Sequence, residues 1–249
     1  MSRMTFESFD GARLSYRTEG EGRPVVMLHG FLANSRFNWI DPGITKAITG
    51  AGFQAIMLDL RGHGHSEASE DPAAYPADVL ARDGEALLQR LELSDYDLVG
   101  YSLGARTGVR MLVHGARPRR CVLGGMGDSG ILGSSARADF FADAITNGEA
   151  SQSPQAAKII QAMIQRANLK PQAMLNVLNA QVQTTHAELD RIDTPILVVS
   201  GSDDHDNGSA EGLARTLKHA RAERVPGNHL SAVQAPELSA AIVEFLREP

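Results

Sequence analysis

The serine at position 102 has the setting of a catalytic nucleophile. It lies in a Gly-x-Ser-x-Gly motif that runs from Gly100 to Gly104, after the apolar pair Leu98 and Val99 and before a pattern typical of a helix. Strand, sharp turn and helix in that order force the serine into a strained backbone conformation and direct its hydroxyl outward. Side chains at the two glycine positions would collide with neighbouring backbone.

The amide that follows the serine supplies part of an acyl-transfer site. Such a site needs N–H donors for the oxyanion that forms when a carbonyl carbon is attacked. The backbone N–H of Leu103 lies at the start of the predicted helix and is one candidate donor. Free amides at a helix N-terminus favour negative charge at this place. The serine is therefore suited to acyl transfer.

The candidate base is His229, which lies in the polar turn Gly227-Asn228-His229. A serine hydroxyl is a poor nucleophile near neutral pH, so it needs such a base beside it. A carboxylate must then hold the imidazole in the correct tautomer. The acids that follow predicted strands leave this role open between Asp128, Asp203, Asp204 and Asp206.

The elements that must position these residues are short strands that alternate with helices. Almost wholly apolar runs at 25–28, 55–58, 98–99, 121–123 and 196–199 are typical of strands that are buried on both faces of a parallel sheet. Helical patterns near 38–49, 77–93 and 103–114 lie between them. The pattern predicts an α/β fold with a mostly parallel central sheet and helices on both faces. In such sheets ligands bind at the carboxyl ends of the strands.

Other segments frame this core. Residues 4–9 and 14–17 alternate around Asp10-Gly11 and predict an N-terminal hairpin. After the strand at 196–199 come a helix at 210–219, a strand at 222–225 and a helix at 236–246. The apolar run at Cys121 predicts a buried small side chain for this single cysteine.

A long segment interrupts the alternation. Residues 128–191 contain helical patterns at 136–146, 155–167 and 171–183 and no strand run. We interpret this segment as a helical cap inserted into a core formed by residues 1–127 and 192–249. Its apolar side chains include Phe140 and Met163, and we expect most of them to pack on the core and some to contact substrate.

The motifs occur in an order that resembles the serine α/β-hydrolases, and the resemblance covers nearly the whole chain. They are His29-Gly30-Phe31 after the third strand, a D-x-R-G-x-G-x-S loop at 59–66, the Gly100–Gly104 motif, a G-x-x-D sequence at 201–204 and Gly227-Asn228-His229 before the last helix. Nucleophile, acid and histidine come in the order expected of that fold. The resemblance is to esterase-like and lipase-like members that carry a helical cap.

The resemblance implies roles for further residues. The fourth residue of the G-x-x-D sequence makes Asp204 the triad acid, while some relatives carry the acid at the earlier strand end, where this chain has Asp128. The N–H of Phe31 is the second oxyanion donor, and we place the side chains of Phe31, Tyr101, Phe140 and Met163 in the substrate pocket. Ser102 argues against relatives whose nucleophile is an aspartate, such as the epoxide hydrolases and dehalogenases.

The function expected from these residues is hydrolysis of small carboxylic esters through an acyl-enzyme. The same groups also suit thioesters, lactones and activated carbon–carbon bonds. Two alternatives remain, because fold does not fix function. One is a protein of this fold that binds a small ligand and turns over little. The other is an interaction protein that uses its helical insertion as a partner surface.

Composition excludes several other classes of partner. The chain has 249 residues, 43% of them hydrophobic, a net charge of −6 and an isoelectric point near 5.7. Lys and Arg do not cluster, which argues against nucleic acid or an anionic membrane as a partner. There is neither an apolar run of about 18 residues for a bilayer span nor a signal-like N-terminus, so we expect a cytoplasmic protein. The sequence carries no indication of its oligomeric state.

No metal and no cofactor are expected. His63 and His65 lie near Asp59, but in the loop that resembles a structural turn of the family. The acidic stretch at 203–208 fails the register of a calcium loop and lacks its closing glutamate. There is no G-x-G-x-x-G that opens a helix after a strand, so a nucleotide cofactor is not implied.

Overall fold

In this computed structural model, which describes residues 2–133 and 136–248, eight strands form one sheet. In chain order they are β1 (Ser2–Glu7), β2 (Arg13–Glu19), β3 (Arg23–Leu28), β4 (Phe53–Asp59), β5 (Asp97–Tyr101), β6 (Cys121–Gly124), β7 (Ile196–Gly201) and β8 (Ala220–Val225). Across the sheet the order is β1-β2-β4-β3-β5-β6-β7-β8. β2 pairs antiparallel with β1 and with β4, and all other pairs are parallel. The predicted mostly parallel α/β sheet is confirmed.

The helices connect these strands. The α-helices of the described residues are α1 (Ile44–Gly50), α2 (Val79–Arg90), α3 (Leu103–His114), α4 (Asp128–Leu132), α5 (Ala136–Asn147), α6 (Pro154–Arg166), α7 (Pro171–Asn179), α8 (His186–Leu189), α9 (Ala210–Thr216) and α10 (Pro236–Arg247). A π-helical turn covers Arg36–Ile40, and 3₁₀ turns cover Pro72–Ala74, Gly148–Ala150 and Ala232–Gln234. None of these helices has the length and apolar character needed to cross a membrane.

The central strands are buried on both faces, as their apolar runs predict. Val26 of β3 belongs to a core cluster that includes side chains of α2 and α3, whereas the adjacent Val25 belongs to a cluster that includes side chains of α1 and α10. Successive residues of a strand point to opposite faces, so an apolar run is covered by helices on both sides. Cys121 is fully buried on β6, as predicted.

The helix predicted at 210–219 ends at Thr216, and two further predicted helices differ in the structure. The segment predicted at 38–49 is split, because Gly43 adopts a left-handed φ of 84° between the π-helical turn and α1. The helix predicted at 171–183 ends at Asn179. Beyond it, the carbonyl of Ala180 accepts the N–H of Asp78 and the carbonyl of Val182 accepts a guanidinium N–H, so tertiary hydrogen bonds replace helical ones there.

Helices α4 to α8 fill the chain between β6 and β7, where the cap was predicted at 128–191. α4 packs against α9 and α3, whereas α5 contacts α6 and α7. The division into core (1–127 and 192–249) and cap remains a prediction. Residues 1, 134, 135 and 249 of these predicted segments lie outside the described residues.

Candidate active site

Ser102 lies at the carboxyl edge of the sheet, in the sharp turn between β5 and α3. Its φ of 52° is a left-handed conformation that costs energy for a residue with a side chain. A Cβ at Gly100 would collide with the backbone of Gly104, and a Cβ at Gly104 would collide with the carbonyl of Leu28 on β3. The turn is therefore tight enough to require both glycines. The N–H of Ser102 donates to the carbonyl of Gly124 at 2.8 Å and holds the turn to the adjacent strand.

Hydrogen bonds link Ser102, His229 and Asp204 in a chain. His229 Nε2 lies 3.0 Å from Ser102 Oγ, and its Nδ1 lies 2.9 Å from Asp204 Oδ2. Burial alone would raise the pKa of Asp204, but the hydrogen bond and the charge of His229 outweigh it and hold that pKa below its usual value. The ionised carboxylate can only accept, so Nδ1 carries the proton and Nε2 is free to accept the hydroxyl proton of Ser102. This is the tautomer that a general base needs.

The loops after β7 and β8 bring the acid beneath the histidine. A Cβ at Gly201 would collide with the carbonyl of Gly227, so the two loops touch at a point where only glycine fits. The N–H of Asp203 donates to the same carbonyl at 3.0 Å. The side chain of Asp204 is nearly fully buried, and its second oxygen accepts the N–H of Asp206 at 3.1 Å. The carboxylate is therefore fixed on both oxygens.

The other candidate acids face elsewhere. Asp203 is exposed. Asp206 forms an ion pair of 2.9 Å with Arg137. Asp128 accepts the backbone N–H groups of Ser129 and Ser209, so it ties the start of α4 to the loop before α9. Of these four acids, only Asp204 is hydrogen-bonded to the imidazole of His229.

The loop after β3 carries the other predicted oxyanion donor. The amides of Phe31 and Leu103 make no hydrogen bond among the described residues, which leaves both free for a substrate oxygen. Gly30 lies against Ser102, since a Cβ on it would be 3.5 Å from the serine Cβ. The loop that carries Phe31 therefore lies next to the nucleophile, and Leu103 follows the nucleophile at the start of α3.

Three buried side chains hold this loop through contacts that the sequence analysis did not predict. Asn38 Oδ1 accepts the N–H of Gly30 at 2.9 Å, and His63 Nε2 accepts the N–H of Leu32 at 3.3 Å. His29 Nε2 accepts the N–H of Leu60 at 3.0 Å. Burial lowers the pKa of His29 and of His63, so both rings are neutral acceptors at neutral pH.

The residues predicted for the substrate pocket lie around one open cavity of about 880 Å³. Phe31, Tyr101, Phe140 and Met163 all line it, together with Ser102 and His229. Phe31 packs edge-on against Phe141 of α5 with a centroid separation of 5.1 Å. Tyr101 has a second contact that its position did not predict, because its hydroxyl donates to the carbonyl of His229 at 2.7 Å.

Among the residues that the structure describes, one group of side chains could offer metal ligands. Ligand atoms of Asp204, Asp206 and His229 lie within 4.8 Å of one another. These side chains are already engaged with one another or with Arg137. In the loop at 59–66, both nitrogens of His63 are taken by backbone groups, and Asp59 accepts the N–H groups of Ser35 and His65. This agrees with a structural role for that loop.

Part of the chain matches a known protein family. Residues 23–122 match the sequence model of a family described as alpha/beta hydrolase fold. A non-heme chloroperoxidase, CPO-A1, from Kitasatospora aureofaciens is 42% identical over 95 residues, which are 38% of this chain and 33% of that protein. The matched stretch is thus about a third of that relative's length. A non-heme haloperoxidase from Rhodococcus erythropolis is 26% identical over 272 residues, with 95% and 97% of the two chains covered.

A solved structure extends the similarity to the whole chain. An esterase from Exiguobacterium antarcticum superposes with a TM-score of 0.80, over 98% of this chain and 99% of the other, at 18% sequence identity. At this identity the similarity concerns the fold. It covers the sheet, the helices around it and the segment between β6 and β7.

Proposed function

This chain belongs to the α/β-hydrolase fold superfamily, and we propose that it is a serine hydrolase that cleaves small carboxylic esters. The observation that carries the proposal is the hydrogen-bond chain from Ser102 through His229 to Asp204. A nucleophile, a base in the correct tautomer and a buried carboxylate are the groups that acyl transfer requires. The strained turn at Ser102 is consistent with this role, since strain tends to be stored at functional sites.

In the first half of the reaction, Ser102 Oγ attacks the ester carbonyl while His229 Nε2 takes the hydroxyl proton. Asp204 stabilises the imidazolium that results. The carbonyl oxygen becomes an oxyanion, which the N–H groups of Phe31 and Leu103 stabilise. The imidazolium then gives its proton to the leaving oxygen. The carbon–oxygen bond of the ester breaks, the alcohol departs and the acyl group stays on Ser102.

Water completes the cycle. His229 Nε2 accepts a proton from a water molecule, whose oxygen attacks the acyl carbon on Ser102. The second oxyanion uses the same two amides. Its collapse returns the proton from His229 to Ser102 Oγ and releases the carboxylic acid. Thioesters and lactones fit the same sequence of steps, because only the leaving group differs.

The segment 128–191 is proposed as a cap that sets the substrate range. It contributes Phe140 and Met163 to the large cavity, whose lining also includes the exposed side chain of Ile159. An apolar cavity of this size suits an ester with an apolar alcohol or acyl part. Ser102, His229 and Asp204 lie outside the segment. Substitutions in the segment should therefore alter substrate selectivity more than the rate of the chemical step.

The test is covalent labelling with a fluorophosphonate, paired with turnover of a p-nitrophenyl ester series. We expect labelling and turnover for the wild type and neither for Ser102→Ala, with Ser239→Ala on α10 as a surface control. Loss of the nucleophile should lower kcat by roughly 10⁴-fold or more. Labelling without turnover would favour the ligand-binding alternative. No labelling of a folded wild type, or near wild-type turnover by Ser102→Ala, would contradict the proposal.

A further inference from the structure

A second cavity, of about 380 Å³, also reaches Ser102. It shares Phe31, Arg137 and Phe141 with the large cavity, but its lining includes Leu103 and excludes His229. Its other lining residues include glutamine, asparagine and serine side chains. Two arginines and no aspartate or glutamate line it among the described residues. The cavity therefore combines apolar and polar side chains and carries a net positive charge.

Arg106 is the deeper of these charges. It lies one helical turn after the nucleophile on α3, and its backbone N–H donates to the carbonyl of Ser102 at 3.0 Å. Its guanidinium donates to the carbonyls of Gly130 and Val182. Its Nε is buried and has no hydrogen-bond partner. A guanidinium has five N–H donors, so donors remain that an anion could accept.

No carboxylate of the described residues lies close enough to form an ion pair with Arg106. Burial, with the repulsion of the neighbouring Arg110, lowers its pKa. Two more deeply buried arginines are different: Arg61 pairs with Asp83 at 2.7 Å, and Arg110 pairs with Asp78 at 2.7 Å. Arg106 is half-buried, and a partly buried charge without a counter-charge is costly, so a bound anion would lower that cost.

Arg137 lies where the two cavities meet. Its guanidinium pairs with Asp206 at 2.9 Å and packs over the ring of Phe141. Asp206 thus balances the charge of Arg137. Of the two arginines that line the small cavity, Arg106 is therefore the one without an acidic partner. The large cavity is more balanced, because its lining includes Asp41 and Asp206 beside Arg137 and Arg166.

The position of His229 decides which part of an ester enters each cavity. His229 must protonate the leaving oxygen, so the alcohol part has to lie beside it. Because His229 lines only the large cavity, the alcohol belongs there. The acyl part then extends past Leu103 into the small cavity, toward Arg106.

We propose that the acyl part of the substrate carries a carboxylate that binds Arg106, so that the preferred substrates are monoesters of short dicarboxylic acids. This inference rests on the proposed function and adds the substrate class. A carboxylate can accept two N–H groups from one guanidinium, which fixes its orientation as well as its position. The scissile carbonyl is then held near Ser102 from the acyl side.

The test compares p-nitrophenyl hydrogen adipate with p-nitrophenyl methyl adipate, which has the same chain but no charge. Release of p-nitrophenolate is followed, and the uncatalysed rate is subtracted. We expect the wild type to favour the free acid in kcat/KM by roughly tenfold to a hundredfold, the range of a charge-assisted hydrogen bond. Arg106→Gln should remove this preference. Arg166→Gln, which removes a charge from the large cavity only, should keep it.

A second measurement needs no turnover. Adipate should bind to the Ser102→Ala protein in isothermal titration, and Arg106→Gln in that background should weaken binding by a similar factor. Equal kcat/KM for the two esters, or no adipate binding, would overturn the inference while turnover of the methyl ester still supported the proposed function. Adipate binding without turnover of either ester would support the anion site at Arg106 and contradict the proposed function. If Arg106→Gln does not fold, the wild-type preference and the Ser102→Ala titration decide the question.

Discussion

The hydroxyl of Tyr101 donates a 2.7 Å hydrogen bond to the backbone carbonyl of His229. The residue before the proposed nucleophile therefore holds the loop that carries the proposed base. The two rings also lie close, with centroids 5.6 Å apart. Tyr101 is buried on β5, a rigid central strand, whereas His229 lies on a loop. The bond joins these two elements across the site.

Tyr101→Phe removes this bond and keeps the ring. We expect kcat for a p-nitrophenyl ester to fall roughly fivefold with little change in KM, since a neutral hydrogen bond contributes about 1 kcal/mol. Tyr75→Phe is the matched control, because it removes a buried tyrosine hydroxyl that makes no hydrogen bond to the loop of His229. Equal kcat for the two variants would mean that the loop of His229 is held by its other contacts alone.

Replacing each of the four candidate acids by asparagine should have a different effect on kcat. Asp204→Asn should lower kcat by up to about 10⁴-fold, because an amide at this position favours the wrong imidazole tautomer. Asp203→Asn should be close to wild type, since Asp203 is exposed. Asp128→Asn should affect stability more than kcat, because Asp128 binds backbone amides of α4 and of the loop before α9.

Asp206→Asn removes the ion pair with Arg137 and should have an intermediate effect. All four variants should be assayed with one ester, with circular dichroism as the check of folding. A kcat for Asp128→Asn below that for Asp204→Asn would place the acid at the end of β6 and contradict the proposed triad.

The sequence predicts the parts of the site that depend on local geometry. Gly100, Gly104 and Ser102 belong to one short turn, and their spacing alone indicates a strand-to-helix bend. The choice of Asp204 required the resemblance, because the residues left four acids open. The parallel sheet was readable because the strands are apolar on both faces, as adjacent Val25 and Val26 illustrate.

The sequence did not predict the contacts that hold the oxyanion loop. Asn38 and His63 lie in other segments, 8 and 31 residues away from the amides they bind, and no local pattern marks such pairs. The small cavity was missed for the same reason, because it forms where α3, α5 and the chain after α7 meet. Arg106 reads in the sequence as one more polar residue of a helix.

The apolar wall of the large cavity leads to a prediction on selectivity. Phe140→Ala and Met163→Ala should change the ratio of kcat/KM for long and short esters, because a methylene in an apolar pocket contributes about 1–3 kcal/mol. The control is Phe9→Ala. Phe9 and Phe140 are each 39% exposed, but Phe9 does not line the cavity. An unchanged chain-length profile in both cavity variants would mean that these side chains only pack.

His63 leads to a prediction on acid stability. Burial, reinforced by the neighbouring His29, lowers the pKa of His63 to about 3. In the unfolded chain a histidine titrates near pH 6.5. Below that pH the unfolded state binds a proton that the folded state refuses, so protonation favours unfolding. The contribution of His63 to the stability of the fold is thus complete above about pH 6.5 and is lost as the pH falls toward about 3.

His63→Gln should flatten this dependence, because glutamine can still accept the N–H of Leu32 but does not titrate. Between about pH 6.5 and pH 4, the wild-type free energy of unfolding should fall more steeply than that of the variant, by about 1.4 kcal/mol per pH unit. Urea denaturation at several pH values measures both slopes. His65→Gln, in the same loop but exposed, should keep the wild-type slope. Part of the slope should persist in His63→Gln because the pKa of His29 is also lowered by burial.

Parallel curves for the wild type and His63→Gln would mean that His63 is protonated in the folded protein. That result would contradict its role as a neutral acceptor beside the proposed oxyanion site.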